Sequence, residues 1–361
     1  MKGFHNRLFL LAGFCFLEVA QSFTLPISKN TKSRVCILLN SQDLNDVVTT
    51  TSETEPATID SISNEISSSS NCKSGKVALV IAPAQFCVPA DYQKLINTLK
   101  ESNKSIITAK VAPLPRTEWI KVAQQLPTQS FFNATLNNAK TLKWYFDAIE
   151  NSLAEIYNEV DEDTTVCIIA HSIGGWVARA YLGGLSQSST AVYRTTLERC
   201  SSLITLGTPH YSPNTALVDQ TRGLLREVES TYACSAQGLL DNGITVTCVG
   251  STGVKSNLMT TDIEEIVATT SYLPLVEKWS DIIKGIEGDG IIPKELAFME
   301  SPANKIEVKC CTLKGNPVRH AHVLPTPWNL IDGSAPSIPL SDDFTWYGSD
   351  GVVDQWIDAI Q

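Results

Sequence analysis

The sequence predicts an α/β protein, a mostly parallel sheet with helices on both faces. Three features predict it. Strand-like runs alternate with helix-like runs from about residue 75 onward, the order that winds a parallel sheet. Residues 77–82 and 165–170 are apolar and rich in β-branched side chains throughout, as strands covered on both faces must be. The second run passes through Ser172, Gly174 and Gly175 straight into the helix-forming residues 176–182. That is the layout of a strand–elbow–helix turn, in which a serine is held strained at the tip and glycines stand where helix and strand backbones nearly touch. The usual pattern is G-x-S-x-G; here Ala170 replaces the first glycine, and it is the smallest side chain that can replace it.

The remaining elements follow in order. Residues 77–82 are a strand ending at Pro83-Ala84-Gln85, and residues 91–99 a helix with Tyr92, Leu95 and Leu99 on one side. A strand is expected over 105–111. A helix follows over 140–157, carrying Leu142, Tyr145, Phe146, Ile149, Leu153 and Ile156 on one face. Residues 202–206 form the strand closed by Gly207-Thr208-Pro209-His210, and 244–249 and 305–310 complete the set. In open α/β sheets the chemistry sits beyond the carboxyl ends of the strands, which is where Ser172 falls.

Composition narrows the class. The chain has 361 residues, 43% of them hydrophobic, enough for a large core. Its formal net charge of −10, with no block of Lys or Arg, argues against nucleic acid as a partner. The ten cysteines show no metal-ligand spacing, and Cys167, Cys248 and Cys310 fall in apolar runs where a thiol acts as a small hydrophobe. A reduced compartment, or at most an incidental disulfide, is the expectation. No apolar run is long enough to span a bilayer, so any membrane contact would be peripheral.

Residues 1–22 read as a signal peptide: Lys2 and Arg7, an apolar stretch over 8–17, then small residues before Phe23. Residues 23–42 contain no acidic side chain and carry Lys29, Lys32 and Arg34, which is transit-peptide chemistry. Together they resemble the bipartite plastid presequences of algae with secondary plastids; secretion is the alternative. Residues 43–74 are rich in Ser, Thr, Asp and Glu and are expected to be a disordered linker. The folded domain is expected over 75–361.

A serine hydroxyl becomes a nucleophile only when a base takes its proton, and the base needs an acid to fix its tautomer. With Ser172 as nucleophile, the order Ser, acid, His leaves few candidates. Asp289, in Gly288-Asp289-Gly290-Ile291-Ile292-Pro293, is the best acid, because its flanking glycines permit a tight turn that aims the carboxylate. Asp262, Asp281 and Glu287 lie in or beside helical, solvated stretches. For the base, Val318-Arg319-His320-Ala321-His322 follows the last strand. An extended segment would point both imidazoles the same way, so spacing does not choose between them; His320 is taken first, with His322 as the alternative. His210 precedes every plausible acid and reads as a structural loop residue. An oxyanion would be held by two backbone N–H groups, those of Ile173 and of Gln85. Ala84 stands where that loop often carries glycine.

Pro83-Ala84-Gln85, Ala90-Asp91-Tyr92, Lys143-Trp144-Tyr145, the Ser172 elbow, Leu206-Gly207-Thr208-Pro209-His210, Gly288-Asp289-Gly290 and Trp346-Tyr347-Gly348-Ser349 together carry a family likeness. From about residue 76 onward the chain resembles the lipase-like α/β-hydrolases of plant and algal chloroplasts, and more distantly the lecithin–cholesterol type of acyltransferase. The resemblance implies an α/β-hydrolase fold and an esterase or lipase; the expected substrate is an acyl ester, including a lipid ester, and the serine chemistry calls for no metal or organic cofactor. An acyltransferase, or a hydrolase-fold binding protein without turnover, are the competing expectations. Residues 252–286 are apolar at helical intervals (Ile263, Ile266, Val267, Leu273, Leu275, Val276, Trp279, Ile282) and are expected to be part of a lid or an extra packed helix pair.

Overall fold

The computed structural model describes residues 75–212, 219–276, 279–324, 332–341 and 343–361. The leader, transit-like and linker segments expected over 1–74 lie outside the described residues. Six strands form the central sheet: β1 (Val77–Ala82), β2 (Ile106–Val111), β3 (Thr165–His171), β4 (Cys200–Leu206), β5 (Thr245–Ser251) and β6 (Asn304–Val308). Their spatial order is β2-β1-β3-β4-β5-β6, and every neighbouring pair is parallel. Burial explains their sequences. β1 and β3 are buried along their whole length and are accordingly apolar. The edge strands β2 and β6 carry Lys110, Lys305 and Glu307, charges that discourage pairing with another chain.

Alternation along β1 sorts the core into two layers. Ala78, Val80 and Ala82 pack with α2 (Lys143–Glu159) and α3 (Ile173–Leu182) through Phe146, Ile149, Leu153 and Val177. Val77, Leu79 and Ile81 face the other way, toward Leu95 and Leu99 of α1 (Gln93–Ser102) and toward Trp356 near the C-terminus. A further helix, α4 (Ala191–Arg199), precedes β4.

This strand order fixes where a site can be. β2 lies on one side of β1 and all later strands on the other, so the order reverses between β1 and β3. The loops leaving these two strands therefore diverge at their carboxyl ends, the place where open α/β sheets bind their ligands. Those loops carry Gln85 and Ser172.

Between β5 and β6 the chain inserts a short antiparallel pair, Val254–Lys255 with Glu287–Gly288, and helices α5 (Ile263–Tyr272) and α6 (Trp279–Lys284). Val254, Ala268, Tyr272, Ile282 and Ile286 make a small core of their own. Ile263 and Ile266, expected on the apolar face, are exposed instead. The insertion lies beside the Asp289 loop: Tyr272 Oη accepts from Gly290 N–H at 2.7 Å and donates to Val254 O at 3.2 Å. Arg319 forms an ion pair with Glu264 on α5.

Candidate active site

The elbow follows from crowding. Ser172 has φ 55° and ψ −126°, a conformation that side-chain-bearing residues hold only when their surroundings enforce it. Its N–H donates to Leu206 O at 2.9 Å, and its carbonyl accepts from Thr208 Oγ1 at 2.8 Å. The next turn must come close to β1: a methyl group on Gly174 would overlap the carbonyl oxygens of Ala82 and Pro83. Ala170 is accommodated because its register partner in β1 is the equally small Ala82.

Three side chains distant in sequence meet at the tip. His320 Nε2 lies 2.9 Å from Ser172 Oγ, and His320 Nδ1 lies 2.8 Å from Asp289 Oδ2. A carboxylate accepts only, so Nδ1 carries the imidazole proton and Nε2 is left bare toward the serine hydroxyl. The backbone holds the pair in register, with His320 N–H donating to Asp289 O at 2.9 Å. Asp289 is 2% exposed and its carboxylate is fully partnered. Oδ1 accepts from the N–H groups of Ile291 (3.0 Å) and Ile292 (2.7 Å), and Oδ2 also accepts from Tyr347 Oη at 2.9 Å. Burial pushes this carboxyl up, but the attraction of His320, its hydrogen bond and the two amides outweigh that and hold it below the ordinary range. Gly207 makes room: a Cβ there would sit 2.6 Å from Asp289 Oδ2.

The other candidates are occupied elsewhere. His322 does not share an extended segment with His320, because the chain bends between them. Its ring stacks on Trp346 with centroids 4.3 Å apart, and burial lowers it to about 4. His210 is buried; its ring nitrogens meet Arg179 (3.1 Å) and Thr205 Oγ1 (3.0 Å), a structural arrangement. Asp262 caps α5 by accepting from Glu264 and Glu265 N–H, Asp281 lies near Lys284, and Glu287 near Lys294.

Ile173 is the first residue of α3, where an N–H has no acceptor within the helix. It follows Ser172 directly. Gln85 lies in the turn after β1. Of its neighbours, Ala84 N–H donates to Tyr92 Oη at 2.7 Å and Cys87 N–H to Ala84 O at 3.1 Å. The positive φ of that turn, 61°, belongs to Phe86, which is why alanine suffices at position 84. Pro83 O accepts from the buried Tyr145 hydroxyl, fixing the loop to α2.

Sequence reasoning did not assign roles to Tyr347, Thr208, Tyr92 or His171. Nothing local distinguishes a tyrosine that reaches a carboxylate 58 positions away from one that merely packs. Tyr347→Phe removes one donor from Asp289 and leaves the N–H of Ser251, now 3.0 Å from the tyrosine hydroxyl, without that acceptor. The expected result is a loss of about tenfold in kcat at little changed KM, together with about 1–2 kcal/mol of stability, read by steady-state kinetics and thermal melts.

Acid should loosen the fold in a defined window. Burial lowers His171 to about 3 and His322 to about 4, and takes His210 well below 6.5. Unfolded, these rings would bind protons as the pH falls past about 6.5, while the folded protein resists doing so. Their contribution is complete above that pH and is lost progressively toward pH 4 and below. A melting temperature that falls steadily from pH 7 to pH 4 is expected; a flat profile would mean that the rings are not buried in neutral form.

The sheet order, the strained serine at the end of β3, and a carboxylate and imidazole delivered by later loops define an α/β-hydrolase fold. A family profile, the PGAP1-like alpha/beta domain, matches residues 131–287, a stretch that contains Ser172 and stops short of Asp289. No curated protein matches the sequence. Among solved structures, the chain is similar to the mature lipase BlEst2 of Bacillus licheniformis, at 12% identity over 65% of this chain and 83% of that one, TM-score 0.36. It is also similar to Aspergillus fumigatus lipase B, at 13% identity over 79% and 62%, TM-score 0.32. A third is an acetyl xylan esterase, at 14% identity over 39% of this chain and 66% of that one, TM-score 0.27.

Proposed function

We propose that the protein is a serine hydrolase that cleaves carboxylic esters through an acyl-enzyme on Ser172. The contact that carries this reading is the unbroken line from Ser172 Oγ to His320 Nε2 and from His320 Nδ1 to Asp289. Ser172 Oγ attacks the ester carbonyl carbon while its proton passes to His320 Nε2. Asp289 holds the imidazole in the required tautomer and stabilises the imidazolium. The N–H groups of Ile173 and Gln85 receive the developing oxyanion. As the tetrahedral species collapses, the carbon–oxygen bond to the alcohol breaks and His320 returns the proton to the leaving oxygen. Water then repeats the sequence in reverse roles, releasing the acid and restoring Ser172. Every proton in this cycle is handled by side chains of this chain.

The sequence resemblance described above supports an acyl ester, including a lipid ester, as the substrate class. The experiment is brief exposure to a p-nitrophenyl acyl ester, acid quench and peptide mass analysis. An acyl group on the peptide containing Ser172, with release of the free acid in water, is expected. Transfer to an added alcohol in preference to water would make the protein an acyltransferase. A chain that binds the ester without acylation would be a binding protein.

A further inference from the structure

His171 precedes Ser172 in the sequence, is 1% exposed, and its ring lies beside that of His320 with centroids 5.1 Å apart. Its Nε2 lies 2.8 Å from the carbonyl oxygen of His320, and its Nδ1 lies 2.9 Å from Tyr92 Oη. A carbonyl oxygen only accepts, so Nε2 must carry the proton. Burial keeps the ring neutral, so Nδ1 is bare and accepts from the Tyr92 hydroxyl. That hydroxyl in turn accepts the N–H of Ala84 at 2.7 Å. The protons thus run in one direction, from Ala84 through Tyr92 and His171 to the backbone of His320.

The two ends of this line matter. Ala84 is adjacent to Gln85, the proposed oxyanion donor, and the His320 peptide carries the proposed base. The His320 backbone is held on both sides, its N–H by Asp289 O at 2.9 Å and its carbonyl by His171. We propose that His171 and Tyr92 are positioning residues that tie the oxyanion loop after β1 to the backbone of His320, so that oxyanion donor and base keep one spacing. This rests on the serine-hydrolase reading given above. Neither side chain hydrogen-bonds Ser172 Oγ or the His320 ring: their partners are Ala84 N–H, each other and His320 O. Their effect is on turnover, because a displacement of about 1 Å at a reacting group can cost a hundredfold in rate.

The test compares Tyr92→Phe, His171→Leu and His171→Gln with the wild type. Phenylalanine keeps the ring that packs edge-on against His171 and Trp346 and removes only the hydroxyl. Glutamine can still donate to His320 O, whereas leucine cannot. For Tyr92→Phe and His171→Leu, kcat is expected to fall about tenfold to a hundredfold with KM within about twofold. His171→Gln should recover a substantial part of the loss, and fluorophosphonate labelling of Ser172 should slow in parallel. Wild-type kcat in the first two variants, or glutamine no better than leucine, would overturn the proposal while labelling of wild-type Ser172 leaves the hydrolase reading standing. Wild-type protein that takes no label at Ser172 would instead remove the hydrolase reading itself. Should the variants fail to fold, nitrogen chemical shifts of His171 in the wild type decide: protonated Nε2 with bare Nδ1 is required, and the opposite tautomer contradicts the relay.

Discussion

Ser172→Ala and His320→Ala are each expected to lower kcat for acyl esters by roughly ten-thousandfold to a millionfold, and the double variant should lose no more than either alone. The reason is that hydroxyl and imidazole act as one unit: without Nε2 the serine keeps its proton, and without Oγ there is no proton to take. Near-zero additivity in this cycle distinguishes a coupled pair from two independently useful side chains. His322→Ala is the internal control. Its ring is stacked on Trp346, so its loss should be felt as about 1 kcal/mol of stability with kcat within a few-fold of wild type. Stability separates the roles further. Ser172 is held at φ 55° and ψ −126°, where glycine would be unstrained. Ser172→Gly is therefore expected to melt above the wild type by the equivalent of about 1 kcal/mol while being inactive, as expected of a residue kept for chemistry at a cost in stability.

The second large effect lies in the backbone. Gly174→Ala places a methyl group into the carbonyl oxygens of Ala82 and Pro83. Neither can yield easily, since Ala82 is paired with Ala170 in the sheet and Pro83 O accepts from Tyr145. The helix must move outward, carrying Ile173 N–H with it. A loss of about 2–3 kcal/mol is expected by denaturant titration, with kcat falling far more than the unfolded fraction explains. Activity that merely tracked the folded fraction would show that the close approach of α3 to β1 serves packing alone.

Much of this arrangement was legible in the sequence, and the reason is physical. Interior strands buried on both faces have no polar alternation, so residues 77–82 and 165–170 stand out, and the observed β1 coincides with its expected span. Chemistry and order along the chain point to Ser172, Asp289 and the pair His320 and His322. What sequence could not do was choose between His320 and His322, because that rested on whether the segment is extended. The bend between them is set by contacts from remote parts of the chain, including Asp289 O and Trp346. The insertion was hard for a related reason. Helical spacing showed an apolar stripe, but Tyr272, a residue outside that stripe, anchors the small core and the acid loop, while Ile263 and Ile266 face outward. Long-range hydrogen bonds such as Tyr347 to Asp289 leave no periodic trace at all.

The serine-hydrolase reading requires Ser172 to be an activated nucleophile. The most direct measurement is the reaction of folded protein with a fluorophosphonate, followed by peptide mapping. A single phosphonyl adduct on Ser172, absent after unfolding and from His320→Ala, is the expected result. Folded wild-type protein that takes no adduct there, or that labels equally well without His320, would contradict it.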